Sequence, residues 1–345
     1  MNEGVKLRSE IEGKDNSSED KSNYKRVYTG DMVYNSMRMW QGANGISAYD
    51  GIVSPAYTVL KPKNNIVNDY FAYLFKNTEL INKFRKNSQG LTSDTWNLKY
   101  PQIATIKIVI PRIEEQQKIA DFLSLIDKRI EKQRQLVESL KKYKRGVFSK
   151  LYSQISDKEK IQIKDLGEYF SAGLLSKDDI VIDGQFPCLL YGELFTKYDE
   201  VITETCSFTN KKILSISTGT EILFPSSTTV DALSLICPSS IKKKGVLLGG
   251  DLFGIRLKEK YDNNFMSYLF NHIYKKILAK YAQGITIVHL HYTDIKDLFL
   301  EVPPINEQQK ITFIMNKIEI FIATNERILT QLLALKQGFL QQMFI

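Results

Sequence analysis

The feature that most constrains this chain is that it is written twice. IPRIEEQQKI at 110–119 returns as VPPINEQQKI at 302–311, an offset of 192 residues. The register then holds without a gap to Tyr152 and Phe344, with identities at Pro111/Pro303, Ile113/Ile305, Glu115/Glu307, Gln116/Gln308, Gln117/Gln309, Lys118/Lys310, Ile126/Ile318, Ile130/Ile322, Leu140/Leu332, Lys144/Lys336 and Gly146/Gly338. Looser echoes lie upstream: Tyr73-Leu74-Phe75 with Tyr268-Leu269-Phe270, Ser88-Gln89-Gly90 with Ala282-Gln283-Gly284, and Tyr100 with Tyr292. Self-similarity at a fixed period marks one structural unit used repeatedly. The chain is therefore expected to be two copies of a globular segment followed by a helix.

The helical parts are the clearest. Pro111 and Pro303-Pro304 punctuate each entry. Apolar residues then recur every three or four positions, the spacing of one helix face. In the first copy they are Ile119, Leu123, Ile126, Ile130, Val137, Leu140, Val147 and Leu151; in the second, Ile311, Met315, Ile318, Ile322, Leu329, Leu332, Phe339 and Met343. Two positions in each seam are polar, and they match: Gln133 with Asn325, and Lys144 with Lys336. A polar seam residue fixes register and partner number at a cost in stability. No proline and one glycine interrupt about 38 residues in each copy, so each helix can run about 57 Å. The expectation is an antiparallel coiled coil of 114–152 against 306–345, with the globular segments 1–113 and 153–305 at opposite ends of a pseudo-twofold arrangement. Two core helices of separate domains are the alternative.

The globular segments read as mixed α/β (α+β). Short or alternating apolar runs predict strands at 31–34, 56–60, 103–110, 221–224, 252–257 and 298–302. An amphipathic helix is predicted in each copy, at 69–86 and 263–281.

Composition narrows the function. The chain has 345 residues, 43% apolar and 25% charged, so each half is long enough to bury a core. Its net charge is +8 and its pI near 9.0, which suits nucleic acid as a partner. The charge is uneven: residues 25–113 sum to +7 and 114–152 to +4, whereas 153–305 sum to −2 despite the run Lys242-Lys243-Lys244. No apolar stretch approaches the roughly 18 residues of a membrane span, and residues 1–20 hold no apolar signal core. The three cysteines, Cys188, Cys206 and Cys237, form no C-x-x-C pair, which argues against a disulfide framework or a zinc cluster and fits a reducing cytoplasm.

Enzyme signatures are missing. There is no G-x-G-x-x-G, no P-loop and no Asn/Asp-Pro-Pro-aromatic tetrapeptide. Glu12-Gly13-Lys14 has nuclease-like spacing but sits in a polar acidic stretch, and His289-Leu290-His291 puts two imidazoles on one strand face without a third ligand. What remains is polar loops suited to DNA. The stretch 34–45 offers Arg38 for a guanine edge, Asn35, Gln41 and Asn44 for adenine, and Ser36 for phosphate. Lys25 and Arg26 add charge ahead of it. The second copy offers Ser226, Ser227, Thr228 and Thr229, with Lys242, Lys243 and Lys244 as a phosphate-binding run or a solvated face. Loops at 88–96 and 283–289 follow the amphipathic helices. Trp40 equally suits a half-buried packing position, and Arg38 a surface salt bridge.

The doubled P-x-I-x-E-Q-Q-K-I entry, with G-D-M-V-Y-N-S-M-R-M-W-Q-G at 30–42 and G-I-V-S-P-A-Y at 51–57, resembles the DNA-specificity subunit of Type I restriction-modification enzymes over nearly the whole chain. The resemblance implies two target-recognition domains, each reading half of a bipartite site, with two antiparallel helices setting the spacing. It implies a non-catalytic subunit on double-stranded DNA that docks two modification subunits (adenine methyltransferases) and, through them, restriction subunits. No cofactor is implied for this chain; S-adenosylmethionine, ATP and Mg2+ belong to the partners, and no membrane is involved. One departure concerns the first copy. In the second, 57 residues lie between Ile161 and Gly219, whereas 29 precede the matching Gly30, so the first domain is expected to be shortened at its start. A coiled-coil adaptor without a DNA role and a nuclease with an unrecognised site stay open. The basic first segment weighs against the former, and the lack of clustered carboxylates with a lysine weighs against the latter.

Overall fold

A computed structural model describes residues 4–344 apart from Glu12, Lys14, Asn16 and 93–95. The chain divides into two compact units, Met1–Leu136 with Asn325–Ile345, and Val137–Thr324. Each contains one α/β body and one stretch of both long helices.

In the first unit, β1 (Lys25–Val27) pairs antiparallel with β4 (Gly51–Val53). A three-stranded antiparallel sheet runs in the order β3 (Asn44–Ile46), β2 (Met32–Asn35), β5 (Tyr57–Leu60). Helices α1 (Asn68–Leu74) and α2 (Thr78–Asn87) cover it. Met32, Tyr34, Met39, Tyr70, Leu74, Phe75, Leu80, Phe84 and Leu98 form the core. The single helix expected over 69–86 is broken at Asn77. Its side chain accepts from Glu79 N (2.9 Å) and Leu80 N (3.2 Å), and so starts a new helix. The strand expected at 103–110 is absent. Pro101 instead initiates a short helix, α3 (Tyr100–Ile103), and 104–112 follows without strand pairing.

The first long helix, α4 (Ile113–Gln154), crosses into the second unit. There β6 (Glu159–Gln162) pairs with the last strand of the unit, and β7 (Gly167–Ser171) lies at one edge of the main sheet. A four-stranded sheet uses β8 (Ile180–Val181), β9 (Phe186–Leu190), β11 (Ser207–Thr209) and β15 (Leu247–Gly249); between these come α5 (Glu193–Thr196) and β10 (Val201–Ile202). The main sheet has the order β10, β14 (Ser239–Ile241), β12 (Glu221–Pro225), β16 (Leu252–Leu257), β7. The pair β13 (Ser227–Thr228) and β17 (Val288–His289), the helices α6 (Ala232–Leu235), α7 (Asn263–Leu269), α8 (Lys275–Leu278) and α9 (Tyr292–Ile295), and β18 (Phe299–Val302) complete the unit before α10 (Ile305–Gln342). The helix expected over 263–281 holds as a continuous helical path with a π-turn at Phe270–Tyr274.

The repeat is structural as well as sequential. The antiparallel trio β3-β2-β5 recurs as β14-β12-β16. The missing strand has its explanation here. Segment 106–110 corresponds to 298–302, where β18 is a strand because β6 pairs with it. No counterpart of β6 exists among the described residues of the first unit, and Val109 stands 97% exposed.

Within each unit the two long helices run antiparallel. In the first, Phe122 meets Phe339 edge-on at 5.1 Å, Asp127 accepts from Lys336, and Gln133 Nε2 donates to Asn325 Oδ1 at 2.9 Å. Leu123, Ile130, Gln133 and Asn325 are buried; Ile119, Ile126, Leu329 and Leu332 are half-buried. In the second, Val137, Ile311, Met315 and Ile322 are buried and Leu140 and Ile318 half-buried. Buried Lys144 reaches Glu319 Oε1 and Glu200 Oε2, each at 2.7 Å.

Each helix is locked to its body by the first glutamine of its entry motif, 1% exposed in both copies. Gln116 Oε1 accepts from Val67 N (3.0 Å) while Nε2 donates to Pro111 O (2.9 Å). Gln308 Oε1 accepts from Asp262 N (2.8 Å) and Nε2 donates to Pro303 O (2.8 Å). A buried amide with both ends satisfied fixes the angle at which the helix leaves.

Candidate nucleic-acid interface

In the first unit the loop after β2 is held by its own backbone. Asn35 Oδ1 accepts from Met37 N at 3.0 Å. Ser36 N and Oγ both donate to Ala56 O, and Leu98 N donates to Ser36 O at 2.8 Å. The turn Met39–Gln41 closes on Gly42 at φ +76, where a Cβ would lie 2.8 Å from Phe75 O, so only glycine fits without a shift. Trp40 Nε1 donates to Met37 O (3.1 Å), its ring meets Trp96 edge-on at 5.2 Å, and the Arg85 guanidinium lies over it at 5.8 Å. The result is a braced platform that leaves Met37 and Gln41 exposed and Arg38 and Trp40 half-buried.

Ser36 and Asn44 are corrected by this arrangement. Both are buried, Ser36 in its bond to Ala56 and Asn44 with Nδ2 on Gly42 O. They shape the loop rather than face a groove. Lys25 donates to the carbonyls of Pro55 (3.2 Å) and Tyr57 at the same end of the sheet, while Arg26 is exposed.

The second unit repeats the scheme with different side chains. Ser226 N donates to Asp251 O (2.9 Å) and Leu290 N to Ser226 O (2.9 Å), the counterparts of the bonds at Ser36. Ser227 donates to the Asp251 carboxylate. Ser226 and Ser227 are thus buried scaffold, again against expectation, whereas Thr228 is half-buried and Thr229 exposed. A cleft of about 750 Å³ opens beside Thr228, Thr229 and Ile287, walled by Tyr191, Phe195 and Asn271.

Lys242, Lys243 and Lys244 do not join this group. They lie by Gly219, at the start of β12, because Lys242 O faces the Cα of Gly219. Ser226 follows the other end of that five-residue strand, about 23 Å from Gly219 at strand rise. Lys243 pairs with Glu204, while Lys242 and Lys244 are exposed.

The loops after the amphipathic helices do join the platform. Gln89 and Asn97 exchange both backbone hydrogen bonds (3.0 and 2.8 Å), and so do Gln283 and His289 (2.8 and 2.7 Å). The rings of His289 and His291 lie 6.0 Å apart and nearly parallel. No cluster of three or more His, Cys, Asp or Glu able to hold a metal occurs among the described residues. Glu12 and Lys14 lie outside the described residues. No helix among them is long and apolar enough to cross a membrane. The brace formed by Arg85 on Trp40 was not anticipated; its one sequence signal is a cation in the last turn of the helix preceding the loop.

A family model described as the type I restriction modification DNA specificity domain matches residues 10–142 and 155–334. The chain is 24% identical over 324 residues to a putative type I restriction enzyme MjaX specificity subunit of Methanocaldococcus jannaschii, covering 86% of this chain and 73% of that one. It is 25% identical over 340 residues to the MjaVIII specificity subunit of the same organism, covering 89% and 79%. Among solved structures, a chain from work on complex assembly and conformational transition of the type I R-M system aligns with a TM-score of 0.60 at 14% identity, over 94% of this chain and 84% of that one. The type I restriction-modification S subunit from M. genitalium aligns with a TM-score of 0.56 at 15% identity, over 92% and 84%. At such identities the structural likeness is one of fold.

Proposed function

The chain belongs to the family of type I restriction-modification DNA specificity domains, and on that premise we propose that it reads a bipartite double-stranded DNA site and performs no chemistry itself. Residues 1–113 and 153–305 act as the two target-recognition domains, and 114–152 and 306–345 as the helices between them. Two modification subunits dock on the doubled surface and restriction subunits join through them; S-adenosylmethionine, ATP and Mg2+ work on those partners, in the cytoplasm. The observation that carries this reading is the doubled platform. Each unit ends an equivalent central strand in a braced polar loop, next to an equivalent closed loop from the helix side. One chain with two such platforms suits a site in two halves. Half-buried Arg38 and exposed Gln41 in the first and exposed Thr229 in the second are side chains able to meet base edges or phosphates.

The test is to express the chain with the modification subunit encoded beside it and sequence the methylated genome. A motif of two fixed blocks around an unread spacer is expected. Arg38→Ala should relax one block only, at about 1–3 kcal/mol for a lost bidentate base contact. No methylation, or a single uninterrupted motif, overturns the proposal.

A further inference from the structure

Leu91 and Ile285 are both 101% exposed, a solvent position that a large aliphatic side chain gains nothing by holding. They occupy equivalent places. Each follows a glycine with positive φ, Gly90 (+148) and Gly284 (+126), inside a loop closed by the Gln89–Asn97 or Gln283–His289 bridge. Gly284 is obligatory, since a Cβ there would lie 1.9 Å from Ile287 O. Leu214, Leu174 and Ile182 are also widely exposed, but they have no counterpart in the other copy. An aliphatic tip kept in both copies, where the facing loops have diverged from Arg38-Met39-Trp40 to Thr228-Thr229, answers a need common to both.

We propose that Leu91 and Ile285 are wedges that enter the DNA between base steps, one in each half-site. This deepens the DNA reading above and rests on it. Each tip is tied to the platform, because the residue that follows its closing bridge donates to Ser36 O (Leu98 N) or Ser226 O (Leu290 N). Leu91 is the one aliphatic residue of its loop, beside Ser88, Gln89 and Thr92, and Ile285 stands fully exposed between Gly284 and Thr286, with Ile287, 46% exposed, two residues on. A protein partner calls for a broad apolar patch. A fully exposed aliphatic tip beside hydroxyls and amides fits the gap between two unstacked base pairs, which proteins open with Leu, Ile, Phe or Met. The partial unstacking bends the duplex, and a bent duplex can meet more protein surface at the flanking loops.

The experiment uses the chain assembled with its modification subunits on a duplex carrying the motif found by methylome sequencing, with A·T-rich spacer and flanks. Permanganate reports unstacked thymines, and the thymine opposite the methylated adenine serves as a control for partner action. The wild type should show one further reactive step in each half-site. Leu91→Ala should remove the one read by the first unit and leave the other, Ile285→Ala should do the converse, and each should weaken binding roughly 10-fold. Leu91→Met should retain the signal. Both side chains are fully exposed, so the variants should fold. Unchanged permanganate patterns and affinity in both alanine variants overturn the wedge alone. A wild-type complex that binds no two-part site overturns the DNA reading and the wedge with it.

Discussion

Lys144 shows how one seam residue ties a helix to its domain. Its ammonium is buried between Glu200 and Glu319, and Tyr268 donates to Glu319 at 3.2 Å. The first unit repeats the arrangement with Lys336, Asp127 and Tyr73, whose hydroxyl donates to Asp127 at 2.9 Å. Burial by itself would raise the Glu200 carboxyl, but the contact with His272 Nε2 at 3.2 Å and the charge of Lys144 outweigh it and hold Glu200 well below the usual carboxylate range. The His272 contact is poorly aligned for a hydrogen bond, so Lys144 is the firmer partner. Desolvation acts against Lys144 too, and Glu200 and Glu319 more than offset it, leaving its pKa raised. A depressed carboxylate contributes stability above its ordinary pKa, which is lost as pH falls toward the folded value. Melting temperature should therefore drop as pH is lowered below about 4.5. Glu200→Gln should melt lower at pH 7 and show a shallower slope from pH 5 to 3.5; an unchanged slope would mean that the pair is not what acid breaks.

At the scale of the element, the seam is specified by a polar contact rather than by apolar residues alone. Gln133 and Asn325 meet across the helix pair, with Gln133 Nε2 also donating to Asn325 O at 3.0 Å. A purely apolar seam can slide by a turn, whereas this bond is satisfied in one register. Gln133→Leu should cost about 1–3 kcal/mol by stranding a buried amide. Gln133→Leu with Asn325→Leu should recover most of that loss, since both partners are then apolar. Denaturant unfolding of the two single variants and the double one gives the coupling; strictly additive losses would show the bond to be incidental.

For the whole molecule, the continuity of the helices matters most. α4 (42 residues) and α10 (38 residues) pass unbroken through the points where one unit gives way to the other, at Leu136–Val137 and Thr324–Asn325. A continuous helix carries a fixed rise, whereas a flexible linker tolerates several spacings; the DNA reading proposed above therefore predicts that the helices set the length of the unread spacer. Four residues inserted after Gln133 and four after Asn325 add about 6 Å, or about 2 base pairs at 3.4 Å each. Methylome sequencing of this double insertion should show an unread spacer lengthened by one or two base pairs with both blocks unchanged. Insertion in one helix alone should break the seam and abolish activity. A fully active double insertion with the old spacer would remove the helices from that role.

The duplicated architecture, the two long helices and the polar positions in their seam were legible in the amino-acid order, because helix periodicity and a 192-residue repeat are local or self-referential patterns. The role of Gln116 and Gln308 was not, although both were visible as motif residues, since their partners at Val67 and Asp262 lie about fifty residues away in the chain. Strand formation at 106–110 was misread for a related reason: the same apolar run is a strand in β18 only because β6 lies beside it. The candidate interface divided in the same way. Sequence supplied the residue types in the loops after β2 and β12. Tertiary structure then turned Ser36, Asn44, Ser226 and Ser227 inward to satisfy backbone and carboxylate groups, left Arg38, Gln41 and Thr229 at the surface, and carried Lys242–Lys244 to the far end of the sheet. A polar side chain in a loop bonds inward or outward according to which acceptors the fold places beside it, and nothing in the local sequence records that choice.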